Sequence, residues 1–325
     1  MEDRIMWNIL GRQMTPYAVS IWAAVILGLL LFVLQGRARK LKSGAMILTA
    51  VLGVVLGLLG ARGYYVLCRW DLFAEVGWEN FFTAQEEGLE VWGAVGGAGF
   101  WGAVGGVCLA AWIAGRATGE RVSALLDALA PSAALGIALS RFAEYSIGEG
   151  IGPEVTVEAL RFFPLAVCNE WEEWNYALFL LEGLVAAVIF LILIASRVGK
   201  KRDGDQARVF LTLYASAQIV LEAMRRDNFL RWLFVRPSQL VSAMVLLGLN
   251  IFGVIRWTRK PPERRMPLKK LIACCVIFAL MVPMIIWMEF AVDKSPDLSV
   301  GMAYLIETVC CVGMGVCTWQ IAVKN

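Results

Sequence analysis

The stretch VSALLDALAPSAALGIALSRFAEYSIGEGIG, Val122 to Gly152, decides what kind of chain this is. Its first part, to about Leu139, is an apolar helix of the length that reads as a membrane span rather than a soluble core. The span then meets Arg141, Glu144 and Glu149, set among Gly148, Gly150 and Gly152. Ionisable groups at a membrane boundary cost free energy, so they are paired or used. Glycines let a backbone and a ligand approach closely. Arg141 and Glu144 lie three residues apart and share a helix face. Two readings fit that spacing: Arg141 snorkels while Glu144 neutralises it, or the pair belongs to an anion site.

Composition points the same way. The chain is 59% hydrophobic, with repeated long apolar runs. The fold expected is an all-α polytopic membrane protein, a helical bundle of about nine transmembrane spans. There is no histidine, so a base working near neutral pH must be Glu, Asp, Tyr, Lys or Cys. The eight cysteines form no CxxC or Cys/His pattern, so no metal site is expected. No cleavable signal peptide is expected, because the residues before the first span are acidic as well as basic.

Outward from the opening stretch, the loops set a topology. The first span, about Pro16–Leu34, ends in Arg37, Arg39, Lys40 and Lys42. Short basic loops lie on the cytoplasmic side, so the N-terminus is expected outside. The second span, about Ala45–Leu67, carries Arg62 near its outer end, and the third, about Val91–Ala114, opens on the glycine-rich GAVGGAGFWGAVGG. Small residues there let a neighbouring helix or a lipid reach the backbone. After the opening stretch come an acidic outer segment (150–174), spans at about Tyr176–Ser196, Val209–Met224 and Gln239–Ile255, and two further spans at about Leu271–Phe290 and Val300–Val323. The C-terminus is then cytoplasmic. One loop breaks the positive-inside pattern: Arg225, Arg226, Arg231 and Arg236 fall on the outer side. Arginine suits phosphate because its planar fork donates two hydrogen bonds at once; pairing with the acidic outer loops is the alternative.

The outer half of the bundle thus gathers Arg62, Arg141, Glu144, Glu149, Glu222, Arg225 and Arg226, with Glu222 and Arg225/Arg226 spaced to share one helix face. This suggests capture of an anionic phospholipid headgroup at an outward-facing site.

At these residues the order and spacing resemble the prolipoprotein diacylglyceryl transferase family, over about Tyr17 to Ile255. GARGYYVLC (Gly60–Cys68) resembles the family's GGRxGYVLF, and GGAGFWGAVGG (Gly96–Gly106) its GGMSFHGGLIG. SRFAEYSIGEGIG (Ser140–Gly152) is similar to GRxGNFxNGExxG without a gap, LLEG (Leu180–Gly183) to LLEG, and AQIVLEAMRRDN (Ala217–Asn228) to ARxxxExxR. The resemblance implies residues 1–260 as a seven-span transferase-like domain and 261–325 as two additional transmembrane helices. It implies a bacterial plasma-membrane enzyme of lipoprotein biosynthesis, active towards the outer side. Such an enzyme moves the diacylglyceryl group of phosphatidylglycerol to the lipobox cysteine thiol of a lipoprotein precursor, or to a related acceptor. The resemblance implies no cofactor or metal and no nucleic-acid partner.

Carried over by position, Arg141 holds the phosphate, and Tyr17, Arg62, Trp101, Glu149 and Gly152 line the phospholipid pocket. Glu222, Arg225 and Arg226 form the second polar cluster. Three positions depart from the family pattern: its histidine falls at Trp101, its arginine before the glutamate at Gln218, and its asparagine at Glu144. The expectation is that Arg225 or Arg226 replaces the arginine and Glu144 the base. The alternatives are a non-catalytic relative that binds phospholipid or lipoprotein, and a lipid transporter.

Overall fold

The computed structural model describes residues 7–9, 12–14, 16–77, 81, 99–144, 150–168, 172–196, 203–226, 236–291 and 300–324. In chain order these form β1 (Trp7–Ile9), β2 (Arg12–Met14), α1 (Pro16–Ala38), α2 (Ser43–Cys68), the short α3 (Trp70–Val76), α4 (Phe100–Thr118) and α5 (Val122–Ala143). There follow β3 (Ile151–Glu154), β4 (Ala166–Cys168), β5 (Trp174–Ala177), α6 (Leu178–Ala195), α7 (Asp205–Met224), α8 (Pro237–Arg259), α9 (Leu268–Ala291) and α10 (Val300–Thr318). A π-helical turn, Trp319–Lys324, prolongs α10. Among the described residues, nine helices are long and apolar enough to cross a membrane. Their outer faces carry large apolar side chains in helical stripes, such as Leu305, Val309, Val312 and Val316 on α10. Such a surface is stable only against lipid.

The chain forms two compact units. The first comprises residues 1–206 with 225–234. Here α1 packs on α5, α5 on α6, and α2 on α4. The α2–α4 contact is backbone to backbone: a Cβ on Gly102 would run into the Gly60 carbonyl, and one on Gly106 into the Leu56 carbonyl. The glycine-rich run therefore serves close helix packing at these positions. At one end of the unit Phe32, Met46, Ala111, Ala114, Leu125 and Ala128 form an apolar core. Beside it lies a polar latch. Buried Asp127 accepts the Gly204 N–H at 2.8 Å and faces Arg39 at 3.6 Å, while Arg39 donates to Gln206.

The second unit comprises residues 207–224 and 235–325. Here α10 packs on α9 and α8. Asn250 donates to the Thr318 hydroxyl at 2.8 Å, and the Tyr304 hydroxyl lies 3.5 Å from the Ala223 carbonyl at the end of α7.

The all-α polytopic bundle is as expected, with two details corrected. The third span begins at Phe100, not near Val91: the Gly99 N–H is taken by the Ala61 carbonyl of α2 at 2.9 Å, in an extended conformation that precedes the helix. Residues 91–98, with the first glycines of that run, lie outside the described residues. The helix carrying Glu222 stops at Met224, so Arg225 and Arg226 are not on it. The all-α bundle also carries an antiparallel β1–β2 ribbon and a small three-stranded antiparallel sheet, order β3-β5-β4, between α5 and α6.

Candidate functional site

At the end of α5 the chain places Arg141 and Glu144 one turn apart, and their side chains pair directly. Arg141 Nε also lies 2.6 Å from Glu182 Oε2 of α6. Arg225, just beyond α7, donates Nη2 to Glu144 Oε2 at 2.9 Å and sets Nη1 3.7 Å from Glu182 Oε1. Two guanidiniums and two carboxylates thus alternate in a closed ring. Its members are buried, Arg141 alone keeping 13% of its side chain exposed.

Backbone contacts fix the ring's parts. The Arg226 N–H donates to the Ile151 carbonyl of β3 at 3.1 Å, and the Phe179 N–H of α6 donates to the Gly150 carbonyl at 2.8 Å. Gly150 has φ +70°, and a Cβ there would stand 2.7 Å from Phe179 Cβ and 2.9 Å from Glu144 Oε2. Only glycine takes this conformation freely and leaves the carboxylate room. The Gly152 backbone lies equally close to Tyr176 of β5.

The ring brings together Arg141, Glu144 and Arg225 and adds Glu182. That residue was quoted only as part of LLEG. The signal that marks it is a lone carboxylate within LFLLEGLVAAVIF, where an unpaired charge is not tolerated. The other expected residues have separate surroundings. Arg62 is fully buried, with its guanidinium 5.1 Å from the Tyr65 ring centre and 5.4 Å from that of Phe73, and its Nε donates to the Phe81 carbonyl. Trp101 is buried edge-to-face against Phe100. Tyr17 is half-buried in the first turn of α1, and the Arg226 side chain is exposed. In the second unit buried Glu222 accepts from Gln218 Nε2 at 2.7 Å. Glu149 and Arg231 lie outside the described residues.

Chemically, the ring offers two hydrogen-bonding cations in an apolar bundle with their charge balanced. Among the described residues no group of three His, Cys, Asp or Glu is disposed to hold a metal ion.

A family model described as prolipoprotein diacylglyceryl transferase matches residues 4–256. Curated relatives named phosphatidylglycerol–prolipoprotein diacylglyceryl transferase are similar over most of their length. The protein from Shouchella clausii is 28% identical over 261 residues, 77% of this chain and 91% of the relative. That from Finegoldia magna is 24% identical over 256 residues, covering 76% and 92% respectively. That from Listeria monocytogenes serotype 4b is 27% identical over 252 residues, covering 76% and 87%.

Proposed function

This chain belongs to the prolipoprotein diacylglyceryl transferase family, and from that premise we propose that it moves a diacylglyceryl group from phosphatidylglycerol to the cysteine thiol of a lipoprotein precursor. The observation that carries the proposal is the buried ring of Arg141, Glu144, Glu182 and Arg225 at the mouth of α5.

In the step proposed, the cysteine sulfur bonds to the glyceryl carbon as the bond from that carbon to the phosphate oxygen breaks. Glycerol phosphate leaves with the electron pair. Arg141, the most exposed member of the ring, receives the phosphate, since a guanidinium beside a developing anion lowers the barrier. Arg225 supplies the second cation, taking the part that Gln218 cannot. The thiol proton passes to Glu144, which takes the part of the base that Trp101 cannot play. Tyr17, Arg62, Glu149 and Gly152 shape the headgroup pocket, and Arg226 supports the arginine cluster. The distribution of Lys and Arg supports a plasma-membrane protein with its N-terminus outside, its C-terminus in the cytoplasm and its ring towards the outer side. We assign residues 1–260 to the transferase-like domain and 261–325 to two added helices.

A second reading is favoured by one observation: Trp101 and Gln218 hold neither charge nor exchangeable base. On that reading the chain binds phospholipid or lipoprotein without turning it over.

The test uses purified protein in phosphatidylglycerol liposomes with a lipobox peptide. Release of glycerol phosphate with a mass gain on the peptide cysteine, lost in Arg141→Ala, is the result expected. No release, with phosphatidylglycerol co-purifying and lost in Arg141→Ala, establishes the binding reading. Full activity in both Glu144→Gln and Arg225→Ala refutes the replacement of the missing groups.

A further inference from the structure

The three-stranded sheet between α5 and α6 has two unlike ends. In β5 the chain runs from Trp174 to Ala177 and continues without a break into the apolar helix α6 at Leu178. The Ala177 end of β5 is therefore the end at the span, and the Trp174 end is remote from it. Strand register assigns the rest of the sheet to these ends. Ile151 pairs with Ala177 and Ala166 with Tyr176, whereas Glu154 pairs with Asn175 and Cys168 with Trp174. The turn before β4, Phe162-Phe163-Pro164-Leu165, is held at the span end. The Ala177 N–H donates to the Leu165 carbonyl at 3.0 Å, and the Ala166 N–H to the Phe162 carbonyl at 2.9 Å.

The side chains follow the same division. At the span end Phe162 is 50% exposed and Phe163 70% exposed. At the remote end Glu154, Glu172 and Glu173 are exposed, together with Thr156, Cys168 and the single aliphatic Val157, and no aromatic ring there is exposed among the described residues. Two neighbouring phenylalanines turned outward are unfavourable in water. Next to the first residue of a membrane span they meet the boundary between headgroups and acyl chains instead, where aromatic rings are stable. The acidic end is held away from that boundary.

We propose that the Phe162–Phe163 turn is a membrane-insertion site, an aromatic wedge seated in the interfacial layer of the leaflet beside the ion ring. Its occupant is lipid. The turn leads into β4, and β5 joins β4 to β3, the strand that follows Gly150 and accepts the Arg226 N–H at Ile151, so through the sheet the wedge sets the depth of the ring against the lipid phosphate. This does not depend on whether the chain turns over substrate.

The test places the photo-crosslinking residue p-benzoylphenylalanine at position 163 in one protein, 162 in a second and 172 in a third. Each is reconstituted in phosphatidylethanolamine/phosphatidylglycerol vesicles with a lipobox peptide, irradiated and read by mass. Lipid adducts at 162 and 163, several-fold above those at 172, are expected. Three outcomes overturn the proposal: peptide adducts in place of lipid, adducts to a second copy of the chain, or equal lipid labelling at both ends of the sheet. Two wedge positions are used so that poor reconstitution of one still leaves a reading from the other.

Discussion

Replacing Glu182 by glutamine keeps the shape of the side chain and removes one charge from a ring of four. In the parent each guanidinium faces two carboxylates: Arg141 faces Glu144 and Glu182, the latter at 2.6 Å, and Arg225 faces Glu144 at 2.9 Å and Glu182 at 3.7 Å. After Glu182→Gln both arginines share Glu144, and a buried net positive charge remains. Removing one partner of a buried ion pair costs about 3–5 kcal/mol, and the 13% exposure of Arg141, which lets water reach part of the orphaned charge, favours the lower figure. For a unit of this size about 3 kcal/mol corresponds to a fall in Tm of about 6–12 °C. Thermal unfolding in detergent, followed by tryptophan emission, measures it. The double variant Glu182→Gln/Arg225→Met removes one charge of each sign and restores neutrality. It is expected to lose less than the sum of the two single variants, by about 1–3 kcal/mol. A Glu182→Gln protein within about 1 kcal/mol of the parent, or a double variant additive within about 0.5 kcal/mol, refutes the ring as a coupled electrostatic unit.

Gly150→Ala forces a Cβ into the left-handed region, a cost of about 1–2 kcal/mol, and presses on the Glu144 carboxylate; a lower Tm together with lost glycerol phosphate release checks it. Asp127→Ala strands the Gly204 N–H and is expected to cost about 1–3 kcal/mol, while Asp127→Asn, which retains an acceptor oxygen, recovers part of this in the same unfolding assay. Glu120, in the turn between α4 and α5, accepts the Lys42 N–H, and this hydrogen bond holds its carboxyl below the usual range. Its contribution is thus fully present above the unfolded-state pKa and is lost as pH falls through the lower folded value, so the Tm gap between parent and Glu120→Gln closes in acid. Glu144→Gln lifts a negative charge from the ring and is expected to retain more phosphatidylglycerol through purification while losing transfer, as read by lipid mass spectrometry and by the liposome assay.

Membrane class and the number of spans were legible because apolar runs of span length have few alternative structures. The Arg141–Glu144 pair was legible because three residues along a helix fix a common face. Arg225 was legible as a useful cation but not as a member of this ring, since its partner Glu144 is 81 residues away. No local spacing encodes that contact. It also depends on α7 ending at Met224, whereas the EAMRR sequence continues a helical pattern. The strands IGPE, AVC and WNYA are too short to display a period of two, so the sheet left no trace beyond an acidic segment. Arg62 was read as a pocket cation on charge alone, and the rings of Tyr65 and Phe73 that hold it are close only once α2 and α3 have folded.

On the proposed reading of the ring as a phosphate site, its balance explains why such a site in an apolar bundle should carry as many carboxylates as arginines. Two isolated guanidiniums among lipid-facing helices would be expensive to bury, and the protein would not hold them in place without counter-charges. Glu144 and Glu182 supply these while no headgroup is bound. A phosphate that arrives then competes for the same N–H donors, so its net attraction is the difference between two ion-pairing arrangements. The exchange begins at Arg141, the exposed member, while Arg225, whose side chain is only 2% exposed, stays paired from below. Where the family pattern has asparagine, Glu144 adds a full negative charge to this competition. That charge weakens capture of an anionic headgroup, and once Arg141 has turned to the phosphate it leaves a carboxylate beside the reacting centre. On that reading Glu144, one of the three positions that depart from the family pattern, is also the one that links lipid capture to proton acceptance.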